Sequence, residues 1–163
     1  MTVHRSKSVR WLERCQLVSK FQVVKADFLH GNLLAPRVPD YAVEGLRASS
    51  GRTPAEVPFS GIVRSSHSYA ILQDEEVLAV YGAIAQEISG VGLLWGLSSD
   101  AIHKNHKSYF LGTCEAVRLI LNEYEILVQY LYAEHEKLIR LARRMGFEVG
   151  EPVPYGMMKK PFR

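Results

Sequence analysis

The groups best placed for chemistry fall in one short run. Asp100-Ala101-Ile102-His103-Lys104-Asn105-His106-Lys107-Ser108 carries a carboxylate, two imidazoles and two ammonium groups. Behind it, Phe110, Cys114, Val117, Leu121 and Tyr124 recur at steps of four and three, which predicts an α-helix over Tyr109 to Tyr124 with one apolar stripe. A helix start presents unpaired backbone N–H groups and the positive end of the helix dipole. With His103, Lys104, His106 and Lys107 beside it, this stretch reads as an anion site or, equally, as a solvated basic loop. Asp100 and His103 directly follow an apolar run, and Glu87 precedes it; these are the candidates for accepting a proton. Each also has an ordinary reading: Glu87 in a hairpin turn, Asp100 as a loop or cap residue, His103 as a surface imidazole. Two histidines and no matching cysteines are too few ligands for zinc.

The elements that must hold these groups can be read in order. Phe21 to Ala26 is β-like, and Asp27 is placed to cap a helix through Phe28 and Leu29. Pro36 and Pro39 break it, and Tyr41 to Ser49 resumes a helix with Asp40 as its expected cap. Gly51 to Phe59, with Pro54 and Pro58, reads as a loop. Ser68 to Gln73 and Val77 to Ile84 flank the charged Asp74-Glu75-Glu76, which predicts a hairpin. Val91 to Leu97 is the next strand. Gly92 and Gly96 lie inside it, and a break in pairing is expected at Trp95-Gly96-Leu97. Leu127 to Tyr132 is a further strand. Leu138, Leu141, Ala142 and Met145 line a last helix, with Arg140, Arg143 and Arg144 in its later turns and Gly146 at its close. Phe147 to Val149 is a candidate final strand, and Tyr155, Met157 and Phe162 a candidate edge.

The chain has 163 residues, 47% of them hydrophobic and 23% charged, which fits one globular domain. A net charge of +3 is too small to imply nucleic acid by itself. Two cysteines, Cys15 and Cys114, make no disulfide framework, and a reducing compartment fits. No apolar run approaches the roughly 20 residues of a membrane span. Residues 1–16 are basic and read as an arm, solvated or docking on a partner, with 17–163 as the single domain.

The order strand, broken helix pair, three-stranded meander, helix, strand, helix, strand, closing on Leu141-Ala142-Arg143-Arg144-Met145-Gly146-Phe147, resembles the GNAT superfamily of N-acetyltransferases. The resemblance covers about Phe21 to Phe147. Trp95-Gly96 followed by the loop of His103 and His106 looks like the small GNAT-like proteins of tailed bacteriophages. It implies an α+β fold: a central mixed, mostly antiparallel twisted sheet flanked by helices. It implies acetyl-CoA held by Leu97, Ser98, Ser99, Lys104, His106, Lys107, Ser108 and His135, with Asp100, His103 or Glu87 as base and an amine of a protein or small molecule as acceptor. His135 falls where the family often has Asn. Two positions depart from the pattern: the loop at 103–108 has no glycine, and the family's frequent acidic Tyr falls on Ala142. Tyr130 and Tyr132 are the alternative proton donors. A phage protein that kept this fold without the chemistry, working in a virion or on a host protein, is the competing expectation. Host cytoplasm or virion is the expected location.

Overall fold

The computed structural model describes residues 1–4 and 21–163. Its central hairpin shows how local rules set the sheet. Strand β3 (Ser68–Gln73) meets β4 (Glu76–Ala85) through Asp74 and Glu75, with φ of 49° and 67°. Two consecutive left-handed residues form the turn whose twist matches the strands it joins. Register then slips between Ile71 and Leu72, so Leu78 is an extra residue on β4. The bulge lets both Leu78 and Ala79 face the same core.

β4 pairs without interruption to β5 (Val91–Ser98), with Tyr81 opposite Gly96 and Gly82 opposite Trp95. The expected break at Trp95-Gly96-Leu97 is absent on this edge; on the other edge of β5 the ladder stops after Leu93. The glycines serve a different purpose. A Cβ at Gly96 would run into the Tyr81 ring, and one at Gly61 or Gly82 into the Trp95 indole. Each glycine makes room for a neighbouring aromatic, and the Trp95 indole N–H donates to Ser65 Oγ at 2.8 Å.

The main sheet adds β1 (Thr2–His4), β2 (Phe21–Lys25) and β6 (Ile126–Val128), in the order β1-β6-β5-β4-β3-β2. All neighbours are antiparallel except β5 and β6. Residues 1–4, expected in an arm, thus belong to the sheet, and Met1 and Val3 are buried. The remainder of that arm, with Cys15, lies outside the described residues.

Helix α1 (Phe28–Leu34) begins at Asp27, whose carboxylate accepts from the His30 amide while the Asp27 amide donates back to the His30 ring. Helix α2 (Asp40–Ser50) is capped by Pro39, and Asp40 is its first residue, not its cap. Where a loop was expected, α3 (Glu56–Arg64) forms. Pro58 falls in its first turn, where the missing N–H has no helical partner to lose. Helix α4 (His106–Ile120) starts three residues earlier than its apolar stripe suggests. Helix α5 (Glu136–Arg144) closes as expected: Gly146 takes φ 89°, its amide donates to the Arg143 carbonyl, and the Phe147 amide donates to the Ala142 carbonyl.

α4 lies on one face of the sheet against β2, β3 and β4, with α1 and α3 on the other. One core gathers Ile71, Leu78, Val117, Ile120 and Leu127; a second gathers Leu34, Ala70, Val80 and Leu97.

Strand β6 ends at Val128, short of the expected Tyr132. The C-terminal hairpin β7 (Val153–Tyr155) and β8 (Lys160–Phe162) lies beside the segment that follows. The amides of Leu131 and Ala133 donate to the carbonyls of Arg163 and Pro161, and Arg163 donates back to Leu131. Gln129 exchanges hydrogen bonds with Met1. These odd-numbered residues face away from β5: the Ile126 amide donates to the Gly90 carbonyl, which sets the even-numbered residues on the β5 side. Phe147 to Val149 forms no strand; Glu148 makes a single antiparallel bridge to Thr2.

Candidate active site

β5 and β6 pair in parallel only from Val91 to Leu93. Beyond Leu93 they splay apart. On β5, the Ser99 amide donates to the Leu78 carbonyl and the Val91 carbonyl accepts from Gln86, so odd-numbered residues face β4. Strand alternation then turns the amides of Gly96 and Ser98 toward the splay.

A cavity of about 80 Å³ fills this gap, lined among others by Gly96, Ser98, Tyr109, Thr113 and Ala142. It shares Tyr41, Tyr109, Leu138 and Leu141 with a cavity of about 890 Å³ between the start of α4 and α5. On its other side it shares Leu94, Gly96, Leu97 and Leu131 with a cavity of about 360 Å³ under α2 and α3. Through these shared residues the three cavities adjoin in a row across the splay.

The large cavity is built for anions. His106, Lys107 and Ser108 form the first turn of α4, where backbone amides have no intrahelical acceptor, and Asn105 adds no side-chain cap. Lys107, Lys137, Arg140 and Arg144 line it, against the carboxylates of Glu134 and Glu136. The Arg144 guanidinium lies 5.1 Å over the Phe110 ring, which fixes one of these cations.

The splay holds phenols. Tyr81 and Tyr109 are buried and their hydroxyls are 2.8 Å apart. Burial pushes both phenols up, Tyr81 well above its ordinary value, so both stay protonated at neutral pH. Tyr41, at the mouth, is also raised, first by burial and then by Tyr109. Thr113 is buried beside the phenol pair, its hydroxyl near enough to both phenols to oppose part of the upward push of burial.

His135 stands at the junction. With Leu138 it lines both the large cavity and the one under α2 and α3. Tyr41 and Tyr132 meet its ring edge-on, at centroid distances of 5.3 and 5.2 Å. Burial holds its imidazole below the usual histidine value, outweighing the opposite pull of Glu44 and Glu134. A neutral imidazole between two cavities can accept a proton.

Of the residues singled out in the sequence, His103, His106, Lys107 and His135 line the large cavity, and Leu97 and Ser98 the splay. Ser99 does not: its hydroxyl donates to the Val77 and Leu78 carbonyls and its amide to Leu78. Lys104 is exposed and lines none of these cavities, and Ser108 contributes only its place in the first turn of α4. Asp100 is paired at 3.1 Å with Arg37, which also holds Glu76 at 2.6 Å. Glu87 is exposed in the β4–β5 turn, at the opposite end of β5 from the splay. Tyr130 stacks on Tyr155 and Tyr132 packs on Phe162, and neither lines the splay. Tyr41, Tyr109 and Thr113 were passed over in the sequence. Tyr109 sits one position before the stripe residue Phe110, the only hint it gives.

No protein-family model and no curated protein matches the chain. Solved structures do. Aminoglycoside acetyltransferase AAC(6')-Ib in complex with coenzyme A aligns at TM-score 0.64 and 16% identity, over 87% of this chain and 91% of that one. An aminoglycoside N(6')-acetyltransferase from Legionella pneumophila aligns at TM-score 0.64 and 11% identity, over 90% of this chain and 91% of that one. An acetyltransferase of the GNAT family from Bacillus anthracis aligns at TM-score 0.63 and 8% identity, over 88% and 91%. At these identities the likeness is one of fold. The chain has the GNAT acetyltransferase fold, with the mostly antiparallel six-stranded sheet expected of it.

Proposed function

We propose that the protein is an N-acetyltransferase that moves an acetyl group from acetyl-CoA to an amine. The observation that carries this reading is the row of adjoining cavities across the splayed strands. One end is cationic, the middle is narrow and lined by strand amides and phenols, and the other end is a separate pocket. Solved structures of like fold hold coenzyme A or acetyl-CoA, three of them together with ribostamycin, paromomycin or kanamycin.

The residues fit such a ligand. The first turn of α4, with Lys107, Lys137, Arg140 and Arg144, would hold its phosphates, and Thr113 places a hydroxyl in the splay beside the two phenols. Acetyl-CoA supplies the activated acyl group when bound. The transfer forms a nitrogen–carbon bond and breaks a sulfur–carbon bond; one proton leaves nitrogen and one ends on sulfur. The amides of Gly96 and Ser98 face the position where carbonyl charge develops. His135 accepts the amine proton. Tyr109, or Tyr41 at the mouth, holds a phenolic proton for the sulfur, the role that Ala142 cannot fill. This assignment replaces Asp100 and Glu87 with His135; His103, on the large cavity, remains the second candidate base.

A GNAT-fold protein of a tailed bacteriophage that kept the architecture without catalysis is the second reading. Ala142 favours it, being buried at the position where the family often has Tyr. Following thiol release from acetyl-CoA in the presence of primary amines separates the two. Amine-dependent release supports the enzyme; its absence with every amine class, despite folded protein, supports the second reading.

A further inference from the structure

We infer that the protein pairs with a second copy of itself through the outer face of α1 and α3, as a two-fold dimer in which α3 lies antiparallel on α3 of the partner.

A surface helix ordinarily buries one apolar face and turns a polar one to solvent. α1 and α3 are apolar on both. Gly31 and Leu34 of α1 and Pro58 and Gly61 of α3 are buried. On the outer side stand Phe28, Leu29 and Leu33 of α1 and Phe59 and Val63 of α3, each between 47% and 63% exposed. These are five of the ten large apolar side chains exposed among the described residues. They form one band. Leu29 and Leu33 are neighbours four apart on one helix, Phe59 and Val63 on the other. The Phe28 and Phe59 rings stack between the helices, with centroids 5.0 Å apart. Beneath them the middle of α1 sits tight on α3: a Cβ at Gly31 would lie 2.8 Å from the Cβ of Pro58.

The size of the band suits a dimer. With about half of each side chain in solvent, it presents on the order of 500 Å² of apolar surface, near the top of the range for the largest patch on a monomer. A standard interface takes roughly 800 Å² from each partner, about two-thirds of it apolar in homodimers. The band matches the apolar share that one subunit contributes.

The rim decides the partner. Glu56 opens α3 and Arg64 closes it, with Ser60 midway. The Glu56 carboxylate accepts from Thr53 through Oε2 alone, and Arg64 makes no ion pair among the described residues. Arg52, tied to Ser60 Oγ, lies on the pocket side of α3. A two-fold axis across α3 at Ser60 sets Glu56 against the partner's Arg64 and Arg64 against the partner's Glu56. The same axis lays α1 over its own copy, so band meets band. A lipid surface asks for a cationic rim, whereas Asp27 and Glu56 stand at the two helix starts. A partner of one charge sign would leave one end of α3 facing like charge. A second copy satisfies both ends. Arg64 also lines the cavity under α2 and α3, so the interface borders that cavity.

Light scattering on the full chain, over a concentration series, reads the mass. The expected value is twice 18.4 kDa. Phe59→Asp puts a charge in the band without touching the core, and is expected to leave a monomer that still melts cooperatively. Glu56→Arg alone and Arg64→Glu alone each bring like charges together at two places, and each is expected to associate at least 10-fold more weakly. Mixed in equal amounts, these two variants again set opposite charges together, and a mixed dimer as tight as the wild type is expected. Glu56→Arg also gives up the Thr53 contacts, so recovery in the mixture is the deciding readout; a variant that had lost its fold could not recover. A wild type monomeric at every concentration, a dimer indifferent to Phe59→Asp, or a mixture no tighter than its parts overturns the inference.

Discussion

His135 lies 29 residues beyond His106 in sequence, yet both line the same cavity. A neutral imidazole there gives a definite pH signature. Its value is lowered by burial below the ordinary 6.5, so the base form persists into mildly acid solution. Activity should be level above pH 6.5 and fall as pH drops through a lower value, because protonation removes the acceptor lone pair. A kcat–pH profile of the wild type shows this directly. His135→Gln should lower kcat by about 10²–10⁴-fold, the usual contribution of a positioned base, with KM for acetyl-CoA changed less. At the phenol pair, Tyr109→Phe leaves the buried Tyr81 hydroxyl without its 2.8 Å partner. The expected cost is about 1–3 kcal/mol in urea unfolding, together with slower turnover. The sequence made the basic run at 103–108 visible because its charges are consecutive. It could not show His135 as a base, since in the chain it is simply the residue before a helix. Asp100 looked available for the opposite reason: Arg37, its partner, is 63 residues away.

Elements were legible where a local rule controls them. The Asp74-Glu75 turn, the α4 stripe and the glycine close of α5 each follow from a few neighbouring residues. The turn makes its own prediction. Glu75 sits at φ 67°, a conformation that costs a side-chain-bearing residue about 1–2 kcal/mol. Glu75→Gly should therefore raise stability by about 1 kcal/mol, seen as a higher urea midpoint at unchanged slope. Helix α3 was hidden by Pro54, Pro58 and Gly61, which ordinarily mark loops. Here Pro58 is in a first turn, and Gly61 gives way to the Trp95 ring. The splay was legible only as a weak point at Gly96. Its extent depends on where β5 and β6 part, after Leu93 and Val128, and these strands are far apart in the chain. Such long-range pairing leaves no mark on local periodicity.

Across the whole molecule, a net charge of +3 understates the electrostatics, because the cations are unevenly placed. Lys107, Lys137, Arg140 and Arg144 gather at one end of the row of cavities, Arg52 and Arg64 at the other. No described helix is long and apolar enough to cross a membrane. The cationic end on α4 and α5 predicts that the affinity for acetyl-CoA falls with added salt. The central claim is that the end built on α4 and α5 holds acetyl-CoA. The most direct measurement is acetyl-CoA calorimetry on three proteins: wild type, Lys107→Ala/Arg144→Ala, and Lys104→Ala, whose lysine lines none of the three cavities. The account predicts micromolar binding by the wild type, at least 10-fold weaker binding by the double variant, and wild-type binding by Lys104→Ala. No heat from the wild type at millimolar acetyl-CoA, or equal loss in both variants, would contradict it.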